Sequence, residues 1–246
     1  MKAFLSKNQA KYIKSLQQKK NRIQEGRFVA EGLKNLAEAL AYPDSIDFIV
    51  CQESESLKLD FGETPVFYAD EKLWTTFSSQ RTPSGVLAVC HLPRDAKAGA
   101  DILALALDGV GDPGNLGTII RLCDWFGYPH IHLGLNSVDP FNPKVVQASM
   151  GSIFRIKFSE GDLIPWLAAR KGPVYAADMQ GSSIYDTDFS HPHTLVLGSE
   201  SHGISPDVAA ITEKVTIPRY GACESLNVAS AAGIILSEIK RRAPPH

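Results

Sequence analysis

The sequence predicts an α/β protein with a small N-terminal α/β domain and a C-terminal domain built on a parallel sheet. From Ile102 onward, short apolar runs alternate regularly with helical stretches, which is typical of a parallel sheet covered on both faces. Residues 93–101 are polar, small and led by a proline, as expected of a linker. We therefore predict domains over residues 1–92 and 102–246, joined by a linker over 93–101.

The N-terminal domain is predicted to open with a helix over residues 7–24. Ser6 and Gln9 have the spacing of a capping box, and Gly26 is a plausible end. The apolar residues on one side of this helix are Ile13, Leu16 and Ile23. A second helix is predicted over residues 28–41, ending before Pro43. The remaining elements are the β-like runs IDFIVC, PVFYA and GVLAVCHL and a helical piece near residues 73–77.

The C-terminal domain is predicted to contain five strands and five helices. The strands are ILALAL, HIHLGL, VYAAD, TLVLG and KVTIP, and the helices lie near residues 115–126, 142–150, 162–170, 205–212 and 225–241. Ligands of such sheets bind beyond the carboxyl ends of the strands. The glycine-rich segments of this chain fall at those positions.

The composition excludes several classes of protein. No apolar run approaches the roughly 20 residues that span a bilayer, and residues 1–14 lack the apolar core of a signal peptide. We therefore expect a cytoplasmic protein with no membrane association. The four cysteines lie tens of residues apart without a CxxC pair, which argues against structural zinc and disulfides.

The charge is distributed unevenly along the chain. Residues 1–34 carry nine basic and two acidic residues, a local charge of +7, while the whole chain has a formal charge of −2. Lys7, Lys11 and Lys14 recur at spacings that share one helix face. Such a segment is either a polyanion-binding arm or a solvated helix face, and charge alone leaves both interpretations open.

The segment GVGDPGNLG follows the first strand of the C-terminal domain and contains a literal G-x-G-x-x-G at Gly109, Gly111 and Gly114. However, Asp112 lies where the backbone of a dinucleotide-binding loop approaches a pyrophosphate, and an acidic side chain there would repel it. A P-loop is excluded because no Gly-Lys-Ser/Thr occurs. We therefore place a nicotinamide-dependent oxidoreductase last among the alternatives.

Two further segments, LGSESHGIS (197–205) and IPRYGACESLNVASAAG (217–233), also follow apolar strands. Three such loops can build one pocket, although they contain neither a metal-ligand cluster nor a Ser-His-Asp pattern. Each polar residue also has a structural explanation: Asn115 and Ser225 as helix N-caps, Arg121 as an ion-pair partner and Glu200 as a turn residue. The candidate catalytic residues are Asn115, Arg121, Glu200, Ser225 and Asn227.

Taken together, the three segments resemble the signature motifs of the SpoU-type RNA 2′-O-ribose methyltransferases of the SPOUT superfamily. The matching stretches are DPGNLGTIIRLCDWFG, LVLGSESHGIS and IPRYGACESLNVASAAGIILSEI. NPKVVQASMGSIFRI and SGVLAV are also similar to the family, and the first 90 residues resemble its substrate-binding domain. The resemblance therefore covers nearly the whole chain.

The resemblance implies a SPOUT fold with a deep trefoil knot and S-adenosyl-L-methionine bound in it. Glycines in the surrounding loops allow close approach to such a cofactor. The implied cofactor-binding residues are Ala177, Asp178, Leu197, Gly198, Ser199, Glu200, Gly203, Ile217, Pro218, Ser225, Leu226, Asn227 and Ala229.

The resemblance also implies attack of a ribose 2′-hydroxyl on the methyl group, with Arg121 at that hydroxyl or at its phosphate. Because the pKa of arginine exceeds about 12, we favour phosphate binding and oxyanion stabilisation over a role as general base. The implied partners are ribosomal or transfer RNA and a second copy of the chain, bound through the C-terminal domain. The expected RNA-binding residues are Lys11, Lys14, Lys19, Lys20, Arg22 and Arg121, and no metal is expected.

Two other functions remain open at this stage. One is methylation of a base by an enzyme of the same superfamily, and the other is RNA binding without catalysis. The combined set of polar residues argues against the second, because RNA binding alone needs no cofactor pocket.

Overall fold

The computed structural model describes residues 2–54, 59–80, 82–93 and 99–242. The chain forms two compact units: the first combines residues 1–94 with 139–154, and the second combines 95–138 with 155–246. Part of the predicted linker, residues 94–98, lies outside the described residues. Segment 139–154, which was predicted to be part of the C-terminal domain, belongs to the first unit.

The first unit contains a five-stranded mixed sheet in the order β1-β4-β3-β5-β2. Its pairs β1/β4 and β3/β4 are parallel, whereas β3/β5 and β2/β5 are antiparallel. The strands are β1 (Ala3–Phe4), β2 (Arg27–Glu31), β3 (Ile46–Gln52), β4 (Val66–Ala69) and β5 (Val86–His91). The helices are α1 (Lys7–Ser15), α2 (Lys19–Glu25), α3 (Leu33–Ala39), α4 (Glu71–Trp74) and α6 (Pro143–Ser149).

The predicted helix over 7–24 is divided into α1 and α2. The capping box is present, since the Ser6 hydroxyl accepts from the Gln9 amide at 3.2 Å, and Gly26 ends α2 with φ +62°. Between the helices, the Arg22 guanidinium donates to the carbonyls of Leu16 and Gln17 at 2.9 and 2.8 Å. These carbonyls are thus satisfied by a side chain, and Ile23 is 64% exposed instead of facing the core.

The predicted helix over 28–41 is wrong in its first part. Residues 27–31 form strand β2, which pairs antiparallel with β5, and only residues 33–39 are helical. Gly32, with φ +111°, separates the two elements. Pairing with a strand about 60 residues away therefore overrides the local pattern.

Segment 139–154 packs on the first unit through aromatic rings and one ion pair. The ring of Phe28 lies 4.9 Å from Phe141 and 6.0 Å from Phe154, measured between centroids. The guanidinium of Arg22 forms a buried ion pair with Asp139. These contacts explain why a stretch near the middle of the chain joins the N-terminal sheet.

The second unit is built on a six-stranded sheet in the order β11-β9-β10-β6-β7-β8, in which every pair is parallel. The strands are β6 (Ala104–Asp108), β7 (His130–Leu133), β8 (Lys157–Glu160), β9 (Val174–Ser183), β10 (Thr194–Gly198) and β11 (Glu213–Thr216). The helices are α5 (Pro113–Phe126), α7 (Leu163–Ala168), α8 (Pro206–Ala209) and α9 (Val228–Arg242). The α/β class and the parallel sheet are confirmed; β8 was not predicted, and the knot stays a prediction.

The centre of this sheet is fully buried. Leu105, Leu107 and Val196 each have 0% exposure, which explains why β6 and β10 are continuous apolar runs. Strand β10 lies between β6 and β9, so the loops after all three strands leave the same edge of the sheet. Within the described residues, we find no helix long and apolar enough to cross a membrane.

Candidate active site

A cavity of about 1050 Å³ lies at the carboxyl ends of the strands in the second unit. Its walls come from the ends of β9, β10 and β11, from the loops that follow them and from one side of α9. The predicted cofactor-binding residues that line it are Ala177, Asp178, Leu197, Gly198, Ser199, Glu200, Gly203, Ile217, Pro218, Ser225 and Leu226. Asn227 and Ala229 are not among the lining residues.

Several lining residues were not singled out in the sequence. Val228, Ala231 and Ile235 face the cavity from α9, and Tyr220 lines it while being 93% exposed. Spacings of three and four residues along α9 could have indicated the helical ones. Tyr220 carries no such signal, because exposure of a loop residue depends on the fold.

The loop after β10 is shaped by two glycines. A Cβ atom on Gly198 would lie 2.2 Å from the backbone of Gly203, a distance that no side chain allows. Gly203 itself has φ +66°, which favours glycine. Glycine at these positions therefore brings the chain back on itself directly beside the cavity.

Three of the predicted catalytic residues form a hydrogen-bonded chain. The Asn227 side-chain amide donates to the Asn115 side-chain oxygen at 2.8 Å, and the Asn115 amide donates to the Glu200 carboxylate. Asn115 and Asn227 are 112 positions apart in the sequence. The structure thus brings together one polar side chain from each of the three predicted loops.

The helix caps next to this chain fix the direction of its hydrogen bonds. The side-chain oxygen of Asn227 accepts from the amides of Ala229 and Ser230 at 3.0 and 3.2 Å, at the start of α9. Its amide group is therefore turned toward Asn115. Asp112 caps α5 by accepting from the Asn115 backbone at 2.8 Å, which leaves the Asn115 side chain available. The caps are thus Asp112 and Asn227, not Asn115 and Ser225.

Asp178 occupies a separate wall of the cavity. Burial opposes ionisation of its carboxyl, but the Gln180 amide at 2.9 Å and the Lys214 ammonium at 3.0 Å lower its pKa below the ordinary value. The carboxylate is therefore charged at neutral pH. It provides a negative charge opposite the loops that follow β10 and β11.

Arg121 and Ser225 are not part of the hydrogen-bonded chain. Arg121 lies on α5 with an exposed side chain that has no ion-pair or hydrogen-bond partner within the described residues. Ser225 is exposed in the cavity wall. In this part of the chain, no group of three or more His, Cys, Asp or Glu side chains is arranged for a metal ion. Metal-independent chemistry stays a prediction.

One predicted RNA-binding residue requires correction. Arg22 is only 2% exposed, because its guanidinium binds Asp139 and the carbonyls at the end of α1. It is therefore unavailable to RNA. The other predicted residues of the basic segment, Lys11, Lys14, Lys19 and Lys20, have exposed side chains.

Comparison with known proteins assigns both parts of the chain. Residues 102–237 match the SpoU rRNA methylase family, and residues 7–88 match the MRM3-like substrate-binding domain. The chain belongs to the SpoU rRNA methylase family. The family resemblance found in the motifs is thereby confirmed.

Members and neighbours of this family resemble the chain over its whole length. The 23S rRNA (guanosine(2553)-2′-O)-methyltransferase RlmP of Bacillus subtilis is 33% identical, covering 96% of this chain and 97% of the relative. A TrmH-family protein from Porphyromonas gingivalis, described as a candidate RNA methyltransferase, has a TM-score of 0.88 at 40% identity, with 98% and 100% of the two chains covered. An AdoMet-bound rRNA methyltransferase from Sinorhizobium meliloti has a TM-score of 0.84 at 31% identity, with 100% and 99% covered.

Proposed function

We propose that this chain transfers a methyl group from S-adenosylmethionine to a ribose 2′-hydroxyl of ribosomal RNA. The observation that carries the proposal is the convergence of Asn115, Glu200 and Asn227, from three distant loops, beside one large cavity. The relative from Bacillus subtilis is named as an enzyme of this reaction on 23S rRNA. The structural neighbour from Sinorhizobium meliloti binds the same methyl donor.

The cavity suits the proposed methyl donor in size and chemistry. Its volume of about 1050 Å³ accommodates a nucleoside with an amino-acid side arm. Leu197 and Ile217 supply apolar walls for an adenine ring, and backbone groups of the glycine-containing loops supply hydrogen bonds. The carboxylates of Asp178 and Glu200 complement a positively charged ligand. When bound, the donor supplies an activated methyl group on a sulfonium centre.

The side chains of this site position the ribose instead of attacking it. A ribose hydroxyl is a poor nucleophile at neutral pH, so its proton must be removed or strongly polarised. The amides of Asn115 and Asn227 hold the Glu200 carboxylate in one orientation, where it can accept a hydrogen bond from RNA. Holding the hydroxyl in line with the methyl group supplies much of the remaining acceleration.

Arg121 is proposed to bind the phosphate next to the target ribose. Its guanidinium stays protonated at any pH at which the protein folds, so it cannot serve as the base. Its exposed side chain is available to RNA. In this proposal Arg121 stabilises the charge that develops on the ribose oxygen, and a phosphate oxygen or a water molecule takes the proton.

We further propose that the active protein is a homodimer formed through the second unit. Helix α5 packs on α9, where Gly233 lies close to Leu122, and apolar side chains remain outside this contact. Trp125 of α5 is 83% exposed and Ile234 of α9 is 37% exposed. A second copy would cover such side chains. A fully active monomer in sedimentation at micromolar concentration would contradict this.

We propose that the reaction takes place in the cytoplasm, where thiols stay reduced. Cys51, Cys90, Cys123 and Cys223 are all unpaired. The exposed lysines of the first unit, Lys11, Lys14, Lys19 and Lys20, are proposed to contact the RNA backbone through charge.

Transfer of a radiolabelled methyl group from S-adenosylmethionine tests the proposed function. The substrate is ribosomal RNA from a strain that lacks the gene, so that the target ribose is unmodified. We expect label in a dinucleotide that resists alkaline hydrolysis, because a methylated 2′-oxygen cannot attack its phosphate. Label in alkali-sensitive mononucleotides would indicate base methylation instead, and no incorporation would overturn the proposal.

A further inference from the structure

The loop that carries Glu200 is a closed turn. Ser199 and Gly203 exchange two backbone hydrogen bonds of 3.1 and 2.9 Å, and the Ser199 hydroxyl accepts from the His202 amide at 3.1 Å. Gly203 adopts the left-handed conformation that the turn requires. The turn is therefore well defined internally, and its orientation depends on what fastens it to neighbouring elements.

Two side chains fasten this turn to the segment that joins β6 to α5. Asn115 donates to the Glu200 carboxylate at one point. At the other, the Asp108 carboxylate accepts from the Ser205 backbone amide at 2.7 Å. Asp108 is the last residue of β6 and pairs in register with Gly198, so it lies at the base of the turn.

The contact of Asp108 replaces a cap that the turn does not provide itself. Ser205 is the N-cap residue of α8, but its own side chain makes no capping hydrogen bond. The half-buried Asp108 carboxylate instead supplies a charge-assisted hydrogen bond to its backbone. A turn held by Asn115 alone could pivot about that contact, whereas two points of attachment fix the direction of Glu200.

We propose that Asp108 is a positioning residue for methyl transfer, which acts by holding the turn so that Glu200 meets Asn115. The proposal rests on the proposed function of this site. Asp108 does not line the cavity and lies outside the hydrogen-bonded chain, so its effect must pass through the turn. Removing Glu200 should therefore remove most of the effect of Asp108.

Asp162 offers a matched control. It caps α7 by accepting from the Ile164 amide at 3.0 Å, which is the same kind of side-chain-to-backbone hydrogen bond. Asp162 does not line the cavity and has no contact with the Glu200 turn. A general loss of helix capping would affect Asp108→Ala and Asp162→Ala alike, whereas positioning of Glu200 would affect only the first.

A double-mutant cycle on single-turnover methylation of ribosomal RNA tests the proposal. We expect Asp108→Ala to lower the rate about tenfold, which corresponds to about 1.4 kcal/mol. Asp108→Asn should stay within threefold of the wild type, because its amide oxygen can still accept from Ser205. Asp162→Ala should stay within twofold. In an E200A background, adding D108A should change the rate less than twofold.

Three results would overturn the role of Asp108: an unchanged rate in D108A, a D108N rate as low as that of D108A, or the same tenfold loss in the E200A background. If the wild type transfers no methyl group, the proposed function fails, and hydrogen exchange then tests the positioning separately. Amides of residues 199–205 should exchange faster in D108A than in the wild type or D162A. Unchanged exchange would show that Asp108 does not hold the turn.

Discussion

Arg22 and Arg121 were both predicted to bind RNA, and the structure places them in opposite environments. Arg22 is 2% exposed and is fully used by Asp139 and two backbone carbonyls. Arg121 is exposed on α5 without a partner among the described residues. The comparison teaches that a basic residue in a basic segment can serve folding alone. The availability of its guanidinium, not its place in a charge pattern, decides whether it can meet RNA.

The largest effect that this difference predicts is the loss of stability in Arg22→Ala. The change leaves Asp139 without its partner, as well as the carbonyls of Leu16 and Gln17. Breaking a buried pair on one side only is strongly destabilising, and we expect a loss of about 3 kcal/mol of unfolding free energy. Denaturant unfolding of the full chain measures it.

Asp139→Ala combined with Arg22→Ala serves as the control for this prediction. The double variant should be less destabilised than the sum of the two single variants, because no uncompensated charge remains. A loss below about 0.5 kcal/mol in Arg22→Ala would place the arginine in the class of ordinary surface residues. It would also restore Arg22 as a candidate for RNA binding.

Arg121→Ala should have the converse phenotype. We expect the methylation rate to fall at least a hundredfold, or about 2.7 kcal/mol, while stability and affinity for S-adenosylmethionine change little. Single-turnover rates and calorimetry measure the two quantities. Lys171→Ala, which removes an exposed cation of the same unit, should leave the rate unchanged. A variant that retained a tenth of the rate would refute a central role for Arg121.

Charge reversal on the first unit sharpens the comparison for the exposed cations. Changing Lys11, Lys14 and Lys19 to Glu should flatten the plot of log RNA affinity against log salt concentration by about two to three units. The physical reason is that each lost phosphate contact releases fewer counterions. Binding titrations at several salt concentrations test this, with S-adenosylmethionine affinity expected to be unchanged.

The matched control reverses exposed lysines of the second unit, Lys157 and Lys171. We expect this variant to keep the slope of the wild type. An unchanged slope in the triple variant would return the basic face to the alternative of a solvated helix surface.

The smallest predicted effect concerns buried histidines that, like Arg22, serve the fold. Burial lowers the pKa of His130 and His132 to about 4, and their rings share the Ser159 hydroxyl at 2.8 and 2.7 Å. Burial also lowers the pKa of His193. Below about pH 6.5 the unfolded chain binds protons that the folded chain does not, so stability should fall as the pH falls from 6.5 toward 4.

The expected slope is at most about 1.4 kcal/mol per pH unit for each histidine. Unfolding free energies at pH 7, 6 and 5 measure it. His202→Gln, a change at an exposed ring, should leave this dependence as it is in the wild type. Stability that stays constant from pH 7 to pH 5 would show that these rings do not resist protonation.

Much of the second unit could be predicted because its signals are local. Apolar runs predicted the strands, and a capping motif predicted the start of α1. Strand β2 was read as a helix because its partner β5 lies about 60 residues away, and Arg22 was read as exposed because Asp139 lies 117 positions away. Local patterns carry no information about such distant partners.

The candidate site divides in the same way. The motifs predicted which residues gather, including Asn115, Glu200 and Asn227. They did not predict the direction of the hydrogen bonds, which depends on Asp112 and Asn227 acting as helix caps. The attachment of the turn through Asp108 was also missed, since a carboxylate that binds a distant backbone amide leaves no pattern in the sequence.

The central claim is that the hydrogen-bonded chain of Asn115, Glu200 and Asn227 serves methylation of a ribose. Mass spectrometry of nucleosides from unmodified ribosomal RNA, after incubation with S-adenosylmethionine and either wild type or Asn115→Ala, tests it most directly. Asp112 still caps α5 in this variant, so the helix should stay intact. We predict one 2′-O-methylated nucleoside with the wild type and formation at least a hundredfold slower with the variant. A base-methylated nucleoside, or equal rates, would contradict the claim.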